Sequence, residues 1–154
     1  MEQAASDDVG ELTVEPVRPE ALPRDLLAQK KTLDPDVYYE AVLRRGWRPL
    51  AFLIRERGRP EPIGCWFMVD SPIYSGLTID TFIVDRRVRT EARVRACMRV
   101  ARSVVEAVCR QLGVTTCVFS TDRPARMQEM IGDTRLRSAE TMLVFHVEPE
   151  REEE

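Results

Sequence analysis

The fold of this chain is decided by the stretch TIDTFIV (78–84), DRRVRT (85–90) and EARVRACMRVARSVVEAVCRQL (91–112). Residues 77–85 are rich in β-branched and aromatic side chains, which is typical of a strand. From Thr90 to Leu112 apolar residues recur every three or four positions, which predicts an amphipathic helix ended by Gly113. The stretch is therefore read as a strand, an arginine-rich turn and a long helix.

The predicted helix has two chemically different faces. We expect the apolar face to pack on a sheet, and the charged face to be solvated rather than to form a binding site. The apolar face holds Val94, Cys97, Met98, Ala101, Val104, Val105 and Val108, and the charged face holds Arg95, Arg99, Arg102, Glu106 and Arg110.

The flanking segments supply the rest of an α+β domain. Sequence periodicity and turn residues predict a strand at 12–17, a helix at about 19–31 and a second helix that Asp34 or Asp36 caps and Gly46 ends. Hairpin-linked strands follow at 50–54, 63–69 and 77–85. After the long helix come a buried strand at 114–119, a short helix at 124–130 and a last strand at 141–147. This order predicts a mixed central sheet of about six strands flanked by helices.

Length and composition favour one domain. The chain has 154 residues, of which 44% are hydrophobic, enough to bury a core. We assign residues 12–148 to this domain, 1–11 to a polar N-terminal arm and 149–154 to an acidic C-terminal tail. The four cysteines match neither zinc nor redox spacing, so no metal site is expected and they are interpreted as small buried hydrophobes. They are Cys65, Cys97, Cys109 and Cys117.

Hydropathy and charge limit the location and the partners. No apolar run approaches the ~20 residues that span a bilayer, and the acidic N-terminus does not resemble a signal peptide. We therefore expect no membrane association and a cytoplasmic or virion-associated protein. Positive charge comes from 21 arginines and only two lysines, within a net charge of −3.

The strand-turn-helix segment resembles the acetyl-CoA-binding core of the GNAT N-acetyltransferase family. That core has the pattern V-x-P-x-y-R-G-x-G-x-G-x-A-L-L. Here Val84 matches the valine, Val88 the aromatic position and Arg89 the leading arginine, while residues 96–98 match the small and apolar helix positions. The predicted element order is also that of the family. The resemblance covers about residues 12–148 and implies the GNAT fold.

The glycine positions of that pattern hold other residues. The resemblance implies a cofactor loop at Val84, Arg89, Thr90, Ala92 and Val94, in which backbone amides and the helix start would hold a pyrophosphate. Thr90, Ala92 and Val94 stand where the family has glycine or alanine, so no residue there adopts a positive φ without strain. The interpretation is a degenerate acetyl-CoA loop.

The catalytic positions of the family are also altered. The resemblance implies a carboxylate three residues before Val84, where this chain has Thr81. Asp80 lies one residue away and is expected to face the other side of the sheet unless a bulge re-aims it. The later helix, 125–131, lacks the tyrosine that would protonate the leaving thiolate. If the chain is active, Asp80 or Thr81 is the candidate base.

These departures favour a non-catalytic GNAT-fold subunit of a larger particle, without a cofactor. The chain is similar in this respect to GNAT-like bacteriophage virion and tail-associated proteins. Arg86, Arg87 and Arg89 would then contact neighbouring protein subunits, because three arginines at one turn exceed what solubility requires.

Two alternatives remain open. One is an active N-acetyltransferase that uses the same three arginines to hold acetyl-CoA. The other is nucleic-acid binding through the arginine-rich helix, which the negative net charge and the lack of interleaved aromatic residues oppose.

Overall fold

The structure is a computed structural model that describes residues 9–71, 76–119 and 129. Its strands and helices confirm the predicted order over this part of the chain. The predicted helix at 124–130, except Glu129, and the predicted strand at 141–147 lie outside the described residues. The strands are β1 (Leu12–Val17), β2 (Leu50–Glu56), β3 (Gly64–Ser71), β4 (Gly76–Val84) and β5 (Cys117–Phe119), and the helices are α1 (Arg24–Leu27), α2 (Pro35–Leu43) and α3 (Glu91–Leu112).

The five described strands form one mixed sheet in the order β1-β2-β3-β4-β5. The first four are antiparallel neighbours, and β5 runs parallel to β4. A parallel pair needs a long crossover connection, which α3 provides here. Gly76 allows the two strands to meet, because a Cβ at this position would lie 2.1 Å from the Thr116 carbonyl oxygen.

Each face of the sheet carries its own core. Leu22, Leu26 and Leu27 pack with Tyr38 of α2 against one face. Cys97, Ala101 and Val105 of α3 pack against the other face, where Trp66 stacks on Phe52 at a ring-centroid distance of 4.7 Å. The central strands are therefore covered on both sides.

The predicted helix at 19–31 is wrong as a single element. Residues Pro19–Ala21 form a short 3-10 turn, and α1 is only one turn long. Pro23 stands in the extended conformation between them and has no N–H group to continue a helix. The second predicted helix is confirmed, with the Asp34 side chain accepting a hydrogen bond from the Asp36 amide.

Helix α3 follows the prediction with one correction to its buried face. Thr90 caps its start, and Gly113 ends it at a φ of 71°. The buried residues are Arg93, Cys97, Ala101 and Val105, whereas Val94, Met98, Val104 and Val108 are half-buried. Strand β5 is shorter than predicted and its residues are half-buried rather than buried.

Cysteine burial was predicted correctly for two positions. Cys65 and Cys97 are fully buried, and burial raises the pKa of each thiol to about 12. Cys109 and Cys117 are half-buried. All four are free thiols.

Candidate functional site

A bulge interrupts strand β4 at Asp80. Thr81 pairs with Phe67 of β3 and Ile79 pairs with the next residue, Met68, so that Asp80 is the extra residue. A one-residue insertion reverses which side chains face each side of the sheet. Ile79 and Phe82 consequently pack on the same core, the one formed with α3. The bulge that the sequence analysis named as an exception is present.

At the bulge, the Lys30 side chain contacts the Asp80 backbone and the Thr81 side chain. The Lys30 Nζ donates to the Asp80 carbonyl oxygen and, at 3.2 Å, to the Thr81 Oγ1. The Thr81 side chain is buried, whereas Asp80 is exposed. Burial lowers the pKa of Lys30, and the nearby Asp80 carboxylate partly opposes this shift. Lys30 was not among the candidate residues of the sequence analysis.

Strand β4 has two halves with different neighbours. Residues 77–79 pair with β3 on one side and with β5 on the other. Beyond the bulge, residues 81–84 pair with β3, and no described residue pairs with the other edge. A strand edge of this kind presents backbone donors and acceptors that can pair with an extended ligand.

The turn after β4 is held by Asp85. This buried carboxylate accepts hydrogen bonds from the Arg87 backbone N–H and guanidinium and from the Gln29 amide. Burial raises the pKa of Asp85, but the hydrogen bonds from Arg87 and Gln29 outweigh this effect and bring it to about 2. Arg87 also pairs with Asp25 at 2.7 Å, which connects the turn to α1.

The three arginines of the turn have three different environments. Arg87 is committed to the ion pairs with Asp85 and Asp25. Arg89 donates to the Val84 carbonyl oxygen at 2.6 and 3.1 Å. The exposed Arg86 lines a shallow depression of about 410 Å³ with Arg87 and Gln29, and its backbone N–H donates to Gln29. The three side chains do not form one uniform cluster.

The start of α3 forms without glycine. Thr90 has an extended conformation, with a φ of −128°, and its hydroxyl accepts a hydrogen bond from the Arg93 amide at 3.1 Å. Since Thr90 needs no positive φ, the threonine at this glycine position causes no backbone strain. Ala92 and Val94 follow in the first turn of the helix, where both are half-buried. The Thr90 hydroxyl competes with any anion for the Arg93 amide.

A buried ion pair beside this helix start was missed by the sequence analysis. The Arg93 guanidinium donates to both Glu56 carboxylate oxygens, at 2.8 and 3.1 Å, and to the Val88 carbonyl oxygen. Glu56 ends β2 and also accepts from the Gly10 N–H. The hydrogen bonds from Arg93 lower the pKa of Glu56, although burial partly opposes them. A signal was present in the sequence, because Arg93 shares the four-residue spacing of Cys97, Ala101 and Val105.

The two tyrosines in the described part of the chain, Tyr38 and Tyr39, pack in or against the hydrophobic core. The Tyr38 hydroxyl donates to the Pro19 carbonyl oxygen, and the Tyr39 hydroxyl donates to the Leu22 carbonyl oxygen. Burial raises the pKa of both phenols. Tyr74 lies outside the described residues.

In residues 9–71 and 76–119 no three His, Cys, Asp or Glu side chains are grouped so as to hold a metal ion. None of the helices in this same part of the chain is both long and apolar enough to cross a membrane.

Several solved structures similar to this chain are named acetyltransferases. The chain is similar to the ribosomal-protein-alanine N-acetyltransferase from Brucella melitensis biovar Abortus 2308, with a TM-score of 0.59 and 14% identity over 89% of this chain and 99% of that one. It is also similar to the IAA acetyltransferase from Bacillus cereus ATCC 14579, with a TM-score of 0.57 and 13% identity over 79% and 74% of the two chains.

A third similar structure is the integron cassette protein HFX_CASS3 from the mobile metagenome of Cole Harbour Salt Marsh. Its TM-score is 0.55, and its identity is 20% over 87% of this chain and 89% of that one. No family model matches the sequence, and no curated protein matches it either. At these identities the similarity shows the fold, which is that of the GNAT acetyltransferases.

Proposed function

We propose that this protein is an N-acetyltransferase that takes its acetyl group from acetyl-CoA. The observation that carries the proposal is the second half of β4, where no described residue pairs with the edge opposite β3. Its edge leads from the bulge at Asp80 to Val84, and the chain then continues through the arginine turn into the start of α3. A strand edge that ends beside a helix N-terminus suits a ligand with amides at one end and phosphates at the other.

Acetyl-CoA has this chemistry, because its pantetheine arm carries two amides and its nucleotide carries phosphates. The edge of β4 up to Val84 would pair with the amides. Arg86, Arg89 and the first amides of α3, in the turn that contains Thr90, Ala92 and Val94, would hold the phosphates. Arg89 would have to exchange part of its bond to the Val84 carbonyl oxygen for a phosphate. The bound group would supply an acetyl group activated as a thioester.

A residue at the bulge would deprotonate the acceptor amine. Asp80 is exposed at this point and can take a proton from an amine that reaches the strand edge. Thr81 is buried and hydrogen-bonded to Lys30, so it is the poorer candidate for the base. The acetyltransferases with the same fold are named for different acceptors, among them ribosomal-protein alanine and aminoglycosides. The acceptor proposed here is accordingly an amine of unspecified class.

Isothermal titration with acetyl-CoA tests the proposal. We expect binding of one donor per chain, weakened about tenfold by Arg86→Gln or Arg89→Gln, the size of a lost charged contact to phosphate. Arg99→Gln is the matched control, because Arg99 is exposed on α3 away from the turn. Absence of binding by the wild-type chain, at concentrations where it is folded, would overturn the proposal.

A non-catalytic subunit of a larger assembly is the second candidate. It is favoured because the protein's own groups already occupy the hydrogen-bonding positions that acetyl-CoA would use. The Thr90 hydroxyl accepts a hydrogen bond from the Arg93 amide, and Arg89 donates one to the Val84 carbonyl oxygen. In this case other protein subunits, as in a virion, would cover the turn. We would then expect no acetyl-CoA binding and a loss of incorporation into the particle when the exposed Arg86 is replaced by Gln.

A further inference from the structure

The Lys30 side chain reaches strand β4 at its bulge. Its backbone lies just after α1, where its N–H donates to the Leu27 carbonyl oxygen. Its half-buried side chain crosses to the sheet and contacts both residues of the bulge, Asp80 and Thr81. Ile79, the last residue for which the described part of the chain shows pairing between β4 and β5, immediately precedes this contact. An amine is therefore fixed at the end of the β4 edge with which no described residue pairs.

The chain provides an internal comparison for this amine. Lys30 and Lys31 are its only two lysines. Lys31 is exposed, and Lys30 is half-buried. Burial lowers the pKa of Lys30, which increases the share of the neutral amine, and only the neutral amine is a nucleophile. Lys30 thus combines a fixed position with a lowered pKa.

The position of Lys30 fits the reactive end of the proposed donor site. From Val84 to Asp80 a strand rises about 13 Å, at ~3.3 Å per residue. A donor whose phosphates lie at the start of α3 would extend along this edge toward the bulge. We propose that the Lys30 amine is itself an acetyl acceptor, so that the protein acetylates its own Lys30 from bound acetyl-CoA. This inference rests on the proposed function.

The reaction balances without a further reagent. The Lys30 ammonium first loses a proton to solvent on the side where Asp80 is exposed. The neutral Nζ then forms a bond to the acetyl carbonyl carbon, and the carbon–sulfur bond breaks. The second proton lost by the nitrogen is balanced by protonation of the thiolate. The products are N-acetyl-lysine and the free thiol of CoA, and nothing is oxidised or reduced.

Acetylation would change the bulge. The amide nitrogen of acetyl-lysine keeps one N–H donor and no charge. It cannot donate to both the Asp80 carbonyl oxygen and the Thr81 hydroxyl, as the Lys30 ammonium does. The added acetyl group would also lie at the end of the β4 edge. Self-acetylation would therefore remodel the reactive end of the donor site and limit further turnover.

Mass spectrometry of the full chain tests this inference. The protein is incubated with acetyl-CoA, and acetylation of Lys30 and Lys31 is followed with time by peptide fragmentation. We expect Lys30 to react at least about tenfold faster than Lys31, because a bound donor raises the effective concentration at one amine only. The Lys30 rate should saturate with acetyl-CoA and fall when CoA is added as a competitor. The Lys31→Arg variant should be acetylated at Lys30 as fast as the wild type is. The Lys30→Arg variant should lose this fast acetylation.

Two controls separate this inference from the proposed function. Titration with CoA, which cannot transfer an acetyl group, reports donor binding alone. If CoA binds but Lys30 reacts no faster than Lys31, self-acetylation is wrong and the proposed function stands. If CoA does not bind, both are wrong. Acetyl phosphate serves as a donor without the nucleotide. Equal selectivity for Lys30 with this donor would show reactivity without a donor site and would also overturn the inference.

Discussion

Arg93 and Arg87 lie six residues apart on either side of the α3 start, and the structure uses them differently. The Arg93 side chain is 10% exposed and pairs with a Glu56 side chain that is 5% exposed. The Arg87 side chain is 59% exposed and pairs with the buried Asp85 and with Asp25, which is 56% exposed. The first pair attaches α3 to the end of β2. The second attaches the turn to α1.

The difference shows that the local arginine count is a poor guide to function. A buried ion pair is costly to break because the remaining charge is left without water or a partner. An exposed pair is screened and contributes little by itself. Arg93 is therefore a structural residue, whereas the paired Arg87 side chain stays more than half exposed. The following substitutions test this distinction.

Arg93→Met should have the largest effect. It leaves the Glu56 carboxylate buried, with Gly10 and the more distant Arg59 as remaining partners. We expect a loss of about 3 kcal/mol in the free energy of unfolding, measured by urea denaturation. Adding Glu56→Leu should restore part of the loss, because the unpaired charge is then removed. A loss below ~1 kcal/mol for the single variant would contradict the structural role of this pair.

Asp85 should make a smaller contribution to the free energy of unfolding, which acid titration would reveal. Its pKa is lowered from 3.8 to about 2, so its contribution to stability is complete above the unfolded value and is lost as the pH falls toward 2. With allowance for solvent screening we expect a contribution on the order of 1 kcal/mol at neutral pH. Glu56 also has a lowered pKa, so the wild type must be compared directly with Asp85→Asn. If the unfolding free energies of the wild type and Asp85→Asn change in parallel between pH 5 and pH 2, Asp85 does not make this contribution.

Arg95→Gln should have the smallest effect. Arg95 pairs with Glu91 one helical turn away at 3.0 Å, and the two side chains are 36% and 62% exposed. Exposed pairs at this spacing contribute about 0.2–0.5 kcal/mol. Thermal melts at low and high salt should therefore differ little between Arg95→Gln and the wild type. A loss of stability as large as that of Arg93→Met would mean that side-chain exposure does not predict how much each arginine stabilises the fold.

Much of the fold was predictable from local patterns. Helix α3 has a clear apolar periodicity, and strands β2 to β4 are apolar segments separated by turn residues. Asp34, Thr90 and Gly113 mark helix ends by their own chemistry. The prediction of one helix at 19–31 was wrong. The spacing of its polar and apolar residues resembles that of a helix, but Pro23 separates the segment into two short elements. Within that range the structure has a 3-10 turn at Pro19–Ala21 and a single α-helical turn at Arg24–Leu27.

The candidate site was predictable only in part. Asp80 and Thr81 were selected by their distance from Val84, but sequence spacing gives no view of the bulge that places both beside Lys30. Lys30 carried no signal of its own, because its partners lie fifty residues away in the chain. The roles of Val84, Arg89, Thr90, Ala92 and Val94 in donor binding remain predictions. So does an interface at Arg86, Arg87 and Arg89.

The sequence by itself determined the element order and the amphipathic faces, because both depend on neighbours within a few positions. It also determined that glycine is absent from the turn before α3. The tertiary structure decided which charges are buried, where β4 is interrupted and which amine lies at that interruption. These properties depend on residues that are distant in the chain, such as Glu56 with Arg93 and Lys30 with Thr81, and only the packing of the sheet against its helices brings them together.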